Sequence, residues 1–481
     1  MVELEFASVQ RVVGEFEDAD LGDPRRTRRL LEMVAKFAAR PDLSLPNTFE
    51  TEAELEAVYR FIGNEAFDFD DLLESHRERT VERAERAGRV LALHDTTKFK
   101  FTHADPRKVG YLSTGKAGFL AHMALIVDSH RHRRPLGVLH VEPISRQKRS
   151  GRGSRKRHLS GRETAQWKDR ESERWFRGAQ ACEEQLSNCS VVHIMDREGD
   201  QYELLSQLLQ LDGHFVIRSN HDRKLATGKQ SLRVSAKQQP VLLEREVHLS
   251  RRLGSSAPRW RASAPPREAR TTTLGVKATT VTLRKPRVVR EELSDELTIN
   301  VVHVEELNPP AGEKPVVWTL LTSEPIETPQ QVSDVIDMYR YRWLIEEFFK
   351  VIKTGCEYEQ RKFATLHPML NLLAITLPVA LELLWIRSRV SDDPDGSAEE
   401  LVTEQQLELL RVRGHRQLPA EPTAAQVLLA IASIGGHLKR NGNPGWQVLY
   451  RGYKRFLEYE AIWLAGVRAG RSSATSKRRN L

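Results

Sequence analysis

Cysteine is scarce in this chain: Cys182, Cys189 and Cys356 are the only three among 481 residues, and none stands in a C-x-x-C pair. That excludes a disulfide framework and a cysteine-based zinc site, and makes a reducing cytoplasm the simplest expectation. Long apolar runs are scarce too. The first residues mix acidic and apolar side chains without a continuous apolar centre, which argues against a secretory signal. The one extended apolar run, Met369 to Trp385, is interrupted by Asn371, Pro378 and Glu382. It reads as a buried helix rather than a span, so no membrane partner is expected. No G-x-x-x-x-G-K-[ST] occurs, and Gly110, Gly115 and Gly118 do not form such a loop, so nucleotide hydrolysis is not expected. His94, His103, His122, His130, His132 and His140 are numerous in one region, yet none stands with cysteine at zinc-site spacing. They read as surface or core histidines.

What is present is basic charge and one two-faced segment. The formal net charge is +8 and the isoelectric point is near 9.3, a balance that favours polyanionic partners. In Tyr339-Arg-Tyr-Arg342-Trp-Leu-Ile-Glu346-Glu-Phe-Phe-Lys350-Val-Ile-Lys353, helical geometry of about 100° per residue places Tyr339, Arg342, Glu346 and Lys353 within an arc of roughly 60°. Tyr341, Leu344, Ile345, Phe348, Val351 and Ile352 gather on the other side. The apolar face can anchor a helix while the polar stripe faces a cleft or water. A carboxylate flanked by two cations and a phenol suits a divalent metal beside a phosphate. The same stripe also reads as a solvated face with two ion pairs.

Two aspartates lie just beyond short apolar runs. Val90 to Leu93 reads as a buried strand followed by His94-Asp95-Thr96-Thr97, and Val191 to Met195 leads into Asp196-Arg-Glu-Gly-Asp200 and a helical stretch to Gln210. Groups at the carboxyl ends of strands in α/β folds converge on one edge. Asp95 and Asp196 there, with Glu346 from a helix, would repel one another unless a cation separated them, so their convergence implies bound metal. Either aspartate alone also reads as a cap or turn residue. In an extended strand His94 points away from Asp95, so the two are not expected to form a dyad.

Asp95 in HDTT, Asp196 in DREGD, and the series Tyr339, Arg342, Glu346, Lys353 closely resemble the bacterial DDE transposases of the insertion-sequence-four type, with their hallmark Y-x2-R-x3-E-x6-K. The resemblance extends through Leu21 to Thr27, Tyr59-Arg-Phe61, Phe215 to Arg218, Asn308-Pro-Pro310 and Trp318 to Pro325, and reaches Ile434-Gly-Gly436 and Trp446. It implies a metal-dependent enzyme that nicks DNA, forms a hairpin, reopens it and joins the end to target DNA. Asp95, Asp196 and Glu346 would hold two Mg2+ ions, with Mn2+ able to substitute. It further implies that Trp318 stacks on a flipped base, although the apolar run around it also fits a core tryptophan. Tyr339, Arg342 and Lys353 would hold the neighbouring phosphate and Arg218 would add a contact, with Trp343 and Lys350 as further candidate DNA contacts. The implied partners are double-stranded DNA with inverted-repeat ends, target DNA, and a second copy of the chain in the DNA complex. A noncatalytic DNA-binding regulator, or a ribonuclease-H-like nuclease that cuts without joining, stands as the alternative.

Organisation along the chain follows from composition. Residues 1–88 read as a helical unit, in which Asp23 caps a helix begun by Pro24 and Leu30, Leu31, Val34, Phe37 and Ala38 share a face. Arg25, Arg26, Arg28 and Arg29 crowd its first turns, either as a phosphate seat at a helix start or as ordinary surface charge. The family uses this unit to bind transposon ends. An α/β class is expected: a ribonuclease-H-like core over 89–223 and 315–365, interrupted by a β-rich insertion over 224–314. Helices over 366–481 would form the family's dimerisation unit, ending in a basic tail read as disordered. The stripe from Trp446 through Tyr450, Tyr453, Phe456, Leu457 and Ile462 is either core or interface. The loop 145–157 is rich in arginine and lysine and either adds nonspecific DNA affinity or is simply solvated.

Overall fold

The computed structural model describes residues 7–41, 43–49, 51–130, 134–147, 171–228, 230–249, 251, 266–287, 289, 292–392, 394–438, 444, 448–449, 451–460, 462–463 and 466. Most of the basic 145–157 loop, Trp446 and the 470–481 tail lie outside them. In chain order the elements are α1 (Ala7–Gly14), α2 (Pro24–Ala39), α3 (Leu45–Thr48), α4 (Glu52–Ile62), α5 (Phe69–Ala87), β1 (Arg89–Lys100), α6 (Pro106–Val109), β2 (Gly118–Asp128) and β3 (Pro135–Ile144). There follow α7 (Arg174–Gln185), β4 (Ser190–Met195), α8 (Tyr202–Gln210), β5 (His214–Arg218), α9 (Leu232–Lys237), β6 (Leu243–Leu249), β7 (Arg270–Arg284), β8 (Glu296–Glu306) and β9 (Val317–Thr322). The last are α10 (Pro329–Tyr341), α11 (Trp343–Lys350), α12 (Leu366–Asp392), α13 (Glu404–Arg413) and α14 (Ala424–Ile434). The result is a mixed α/β protein with a large sheet.

The chain divides into two compact units. One comprises Met1–Val90, Thr96–Gly151 and Trp343–Leu481; the other comprises Leu91–Asp95 and Arg152–Arg342. Strand β1 therefore contributes to both.

The first unit is mainly helical around the β2–β3 hairpin. Its helix starts are local in origin. Asp23 accepts a hydrogen bond from the Arg25 amide with Pro24 in the first turn, and Asp68 and Asp71 form a reciprocal capping box on α5. Every residue of β2 from Gly118 to Val127 is buried, as expected of a strand covered on both faces. His76 of α5 ties helix to strand: its Nε2 accepts the Val138 amide at 3.0 Å, and its Nδ1 lies 2.5 Å from Glu15 Oε2. Burial alone would raise the Glu15 carboxyl, but His76 and Arg83 hold it at about 2. Within α12, Leu366–Ser388 is long and apolar enough to cross a membrane, yet 78% of that window is buried inside the protein. Asn371 there donates to the Ile62 carbonyl, and Glu382 pairs with Arg11 at 2.5 Å.

A buried acid in the carboxyl-terminal helices yields a pH prediction. Gln406 Nε2 donates to Glu460 Oε2 at 3.0 Å, and burial pushes the Glu460 carboxyl up from 4.5 to about 7 against that bond. The folded state thus holds this proton more tightly than the unfolded chain, so its stabilisation is complete below pH 4.5 and is lost as pH rises through about 7. The loss amounts to roughly 2–3 kcal/mol at most. Glu460→Gln should remove that slope and raise stability at pH 8 by about 2 kcal/mol, read from urea titrations at pH 5 and pH 8. Equal slopes in variant and wild type would refute the assignment.

The second unit is built on a sheet with strand order β1-β4-β5-β9-β8-β7-β6. β4 and β5 run parallel with α8 between them, and β5, β9, β8, β7 and β6 follow as antiparallel neighbours. The strands expected in the 224–314 segment therefore extend this sheet through the β8–β9 pairing. Alternating exposure along β6 marks it as an edge strand with one solvated face. Trp175, Ala179, Leu205 and Leu208 of the helices pack on Met195, Phe215, Ile217 and Leu321 of the strands. Each of these large side chains contributes about 1.5–3 kcal/mol on burial. That core pins the ends of β4 and β5, next to Asp196 and Arg218.

Candidate active site

Asp95 and Asp196 belong to neighbouring strands of the second unit, but only Asp196 follows a strand end, that of β4; β1 runs on to Lys100, so Asp95 lies within the strand rather than beyond it. Strand alternation fixes their side. His94 and His193 are fully buried on the opposite face, where His94 Nε2 lies 3.0 Å from His193 Nδ1 and His193 Nε2 lies 3.0 Å from Glu183 Oε1. His94 is thus engaged with His193, on the face away from Asp95. Asp196 begins a 3-10 turn, Arg197–Gly199, its Oδ1 accepting the Glu198 amide at 2.8 Å. Glycine is required at 199: a Cβ there would stand 2.9 Å from the Met195 Cβ. Both aspartates are partly exposed, in keeping with a site that admits a ligand.

Cations and aromatics of the same unit gather beside these acids. Arg342 Nη1 sits 3.3 Å from Asp95 Oδ2. Tyr339 is buried, 5% exposed, and stands beside the Arg218 guanidinium. Burial pushes the Tyr339 phenol up, Arg342 and Arg218 draw it down, and the Asp196 carboxylate pushes it up again. Burial also lowers the Arg218 pKa, with Tyr339 opposing. Trp318 of β9 is half-buried, its ring edge-on to Tyr339 with centroids 5.7 Å apart and the Arg218 guanidinium 5.9 Å from its centroid. Two acids, two guanidiniums, a phenol and an indole that keeps an accessible surface therefore share one locality.

The polar stripe expected on one helix departs from that description. The helix is broken: α10 ends at Tyr341, Arg342 is its cap, α11 starts at Trp343, and Val351–Gly355 forms a π-helical turn. A π turn winds by fewer degrees per residue, so the 100° arithmetic does not carry through to Lys353. Tyr339 lies buried against Trp318 rather than facing water. The apolar side is as expected for Leu344, Ile345, Phe348, Val351 and Ile352, which are all buried, while Tyr341 is only partly so. Glu346, Lys350, Lys353 and Trp343 belong to the first unit. Glu346 is partly exposed, Lys353 Nζ lies 5.6 Å from the Phe99 ring centroid, and Trp343 is 53% exposed with Lys350 Nζ 5.5 Å from its ring.

In α2 the buried face is Leu30, Met33, Val34 and Phe37. Arg25 is tied to Asp23 at 2.8 Å, Arg26 donates to the Leu21 carbonyl and Arg29 pairs with Glu32, whereas Arg28 is exposed at the helix surface. The arginine cluster is thus partly spent on organising its own helix start.

Among the described residues no three His, Cys, Asp or Glu side chains form a group able to hold a metal ion. The donor chemistry of Asp95 and Asp196 nevertheless fits a hard divalent cation, since both present carboxylate oxygens on one face and Asp95 already draws a positive group, Arg342. Sequence reasoning gave no role to Asp200 and Arg223, which form a buried ion pair in this unit. No periodicity signals a pair of that kind.

Residues 12–67 match the family described as transposase DNA-binding, and residues 177–377 match the transposase DDE domain. Among solved structures, the chain is similar to a piggyBac transposase in a synaptic complex with hairpin DNA, at 12% identity and a TM-score of 0.32, over 81% of this chain and 74% of that one. So distant a likeness bears on neither fold nor mechanism.

Proposed function

Starting from a chain that carries the DNA-binding and DDE domains of a transposase, we propose that it performs cut-and-paste transposition of the insertion-sequence-four, hairpin-forming type. One observation carries this reading: Asp95 within β1 and Asp196 just past the end of the adjacent β4 lie beside Arg342, Arg218, Tyr339 and a half-exposed Trp318. Acids for a metal, guanidiniums for a phosphate and an aromatic face for a base are what phosphodiester chemistry at a distorted DNA end requires.

Asp95, Asp196 and, on the hallmark spacing, Glu346 would hold two magnesium ions, with manganese able to substitute. When bound, such ions lower the pKa of an attacking water and balance charge on the leaving oxygen. The chain's own groups do the rest. Arg342 and Arg218 grip phosphate oxygens with forked donors, with Tyr339 packed beside them against Trp318. Lys353, with Lys350 and Trp343, extends the DNA contacts from the first unit. Trp318 receives a base turned out of the hairpin, on the side of the ring that the Arg218 guanidinium does not cover. The helical 1–88 unit, with Arg25, Arg26 and Arg28 at a helix start, binds the inverted-repeat end, and the 366–481 helices pair two copies on DNA. The core over 89–223 and 315–365 would be ribonuclease-H-like with 224–314 inserted, in a cytoplasmic, nucleoid-associated enzyme.

The test is direct. The protein is mixed with magnesium and a DNA fragment bearing the inverted repeats that flank its coding segment, and products are resolved on a denaturing gel. Nicks, hairpins and joined products are expected in sequence. Binding without any nick would identify a noncatalytic regulator, and nicks without joining a simple nuclease.

A further inference from the structure

A buried ion pair links the loop leaving β4 to the loop leaving β5, and its placement deepens the DNA-cutting reading on which this inference rests. Asp200 is 1% exposed and closes the turn that Asp196 opens; Arg223 is 7% exposed and follows the strand that ends at Arg218. The Asp200 carboxylate is fully engaged. Its Oδ2 accepts the amides of Asn220 at 2.5 Å and His221 at 2.8 Å, and its Oδ1 accepts Arg223 Nη1. Arg223 Nη2 donates to the Asp200 carbonyl at 2.9 Å. The β5 loop is tied onward as well, since the Ser219 amide donates to the Thr319 carbonyl at 2.8 Å, next to Trp318.

Removing two charges from water is costly, and a packed apolar pair of similar volume commonly serves stability as well or better. What the ionic pair supplies instead is direction. Two backbone amides and a forked guanidinium converge on one carboxylate, so the two loops cannot slide or rotate independently. One loop begins at a proposed metal-holding acid and the other at a proposed phosphate-gripping guanidinium.

We propose that Asp200 and Arg223 are positioning residues that lock the Asp196 turn to the Arg218 exit, holding those two side chains at the separation that the DNA backbone requires. Neither residue touches DNA or the reacting atoms. The pair acts through backbone placement.

Two variants test this. Asp200→Asn keeps the shape and removes the charge; Asp200→Leu with Arg223→Met replaces the pair by apolar side chains, so that no charge is left buried alone. Each is compared with wild type for melting temperature, binding of repeat-bearing DNA, nicking rate at saturating DNA, and amide hydrogen exchange in the free protein. The expected result is earlier melting, because Arg223 in the first variant and the Asn220 and His221 amides in the second lose their acceptor, with end binding retained below the melt, a fall in saturated nicking per folded molecule of about tenfold or more, and faster exchange at both 197–199 and 219–221. Variants that melt earlier yet nick at the wild-type rate per folded molecule would show a merely structural pair and overturn the proposal. If wild-type protein nicks no DNA, the reading under "Proposed function" fails by itself. The exchange arm then decides: loosening of both loops upholds the lock, and unchanged exchange at 197–199 overturns it.

Discussion

Glu346→Ala is expected to abolish nicks, hairpins and joined products together, while leaving binding of repeat-bearing DNA close to wild type. Glu346 is a partly exposed residue on α11, whose buried face of Leu344, Ile345, Phe348 and Phe349 is untouched by the substitution. Truncation should therefore cost little stability. On the proposed reading its effect lies in the chemistry: with Glu346 gone, Asp95 and Asp196 alone would hold a divalent ion weakly, and groups that act as a unit fail as a unit. A loss of about a thousandfold or more in nicking is expected. Single-turnover nicking on a denaturing gel, beside a gel-shift titration and a melting curve, separates the possibilities. Nicking at wild-type rate would remove Glu346 from the mechanism, and lost end binding with early melting would make it structural.

Trp318→Ala should leave the first nick within a fewfold of wild type and reduce hairpin yield about tenfold or more, because stacking an unpaired base on an aromatic face is worth about 1–3 kcal/mol. The structural basis is the half-exposed indole. A core tryptophan would have both faces covered, whereas Trp318 meets Tyr339 edge-on and has the Arg218 guanidinium over the ring. Losing the edge contact should cost about 0.5–1.5 kcal/mol beyond the burial that the indole gives up, so yields are compared per folded molecule, with a melting curve alongside. Trp318→Phe, which keeps a smaller aromatic face, should restore part of the yield. The measurement is the ratio of hairpin to nicked product over time. A ratio unchanged in the alanine variant would assign Trp318 to packing alone.

Several elements were legible because their causes are local. Asp23 and Pro24 start α2 through a cap and a preset φ, and the apolar runs before Asp95 and Asp196 form strands as their composition predicts. Strands β6, β7 and β8 all fall within the 224–314 segment expected to be rich in β structure. The Tyr339-to-Lys353 series is not one continuous helix. Its periodicity is real on the apolar side, but nothing in a period of 3.6 signals a break at Arg342 or a π turn at Val351. The expectation that Tyr339 faces a cleft failed for a related reason: a phenol on a polar arc is buried if a neighbouring strand brings an indole and a guanidinium to it.

The sequence by itself determined which side chains could carry the chemistry and where helices and strands begin, because caps, turns and hydrophobic periods act within a few residues. Only the tertiary structure decided which of those groups meet. The Arg342–Asp95 pair spans 247 residues and the Asp200–Arg223 lock spans 23. Pairs of that kind exist because the sheet order sets β1 beside β4 and β5 beside β9, where packing, rather than any local pattern, selects the partner.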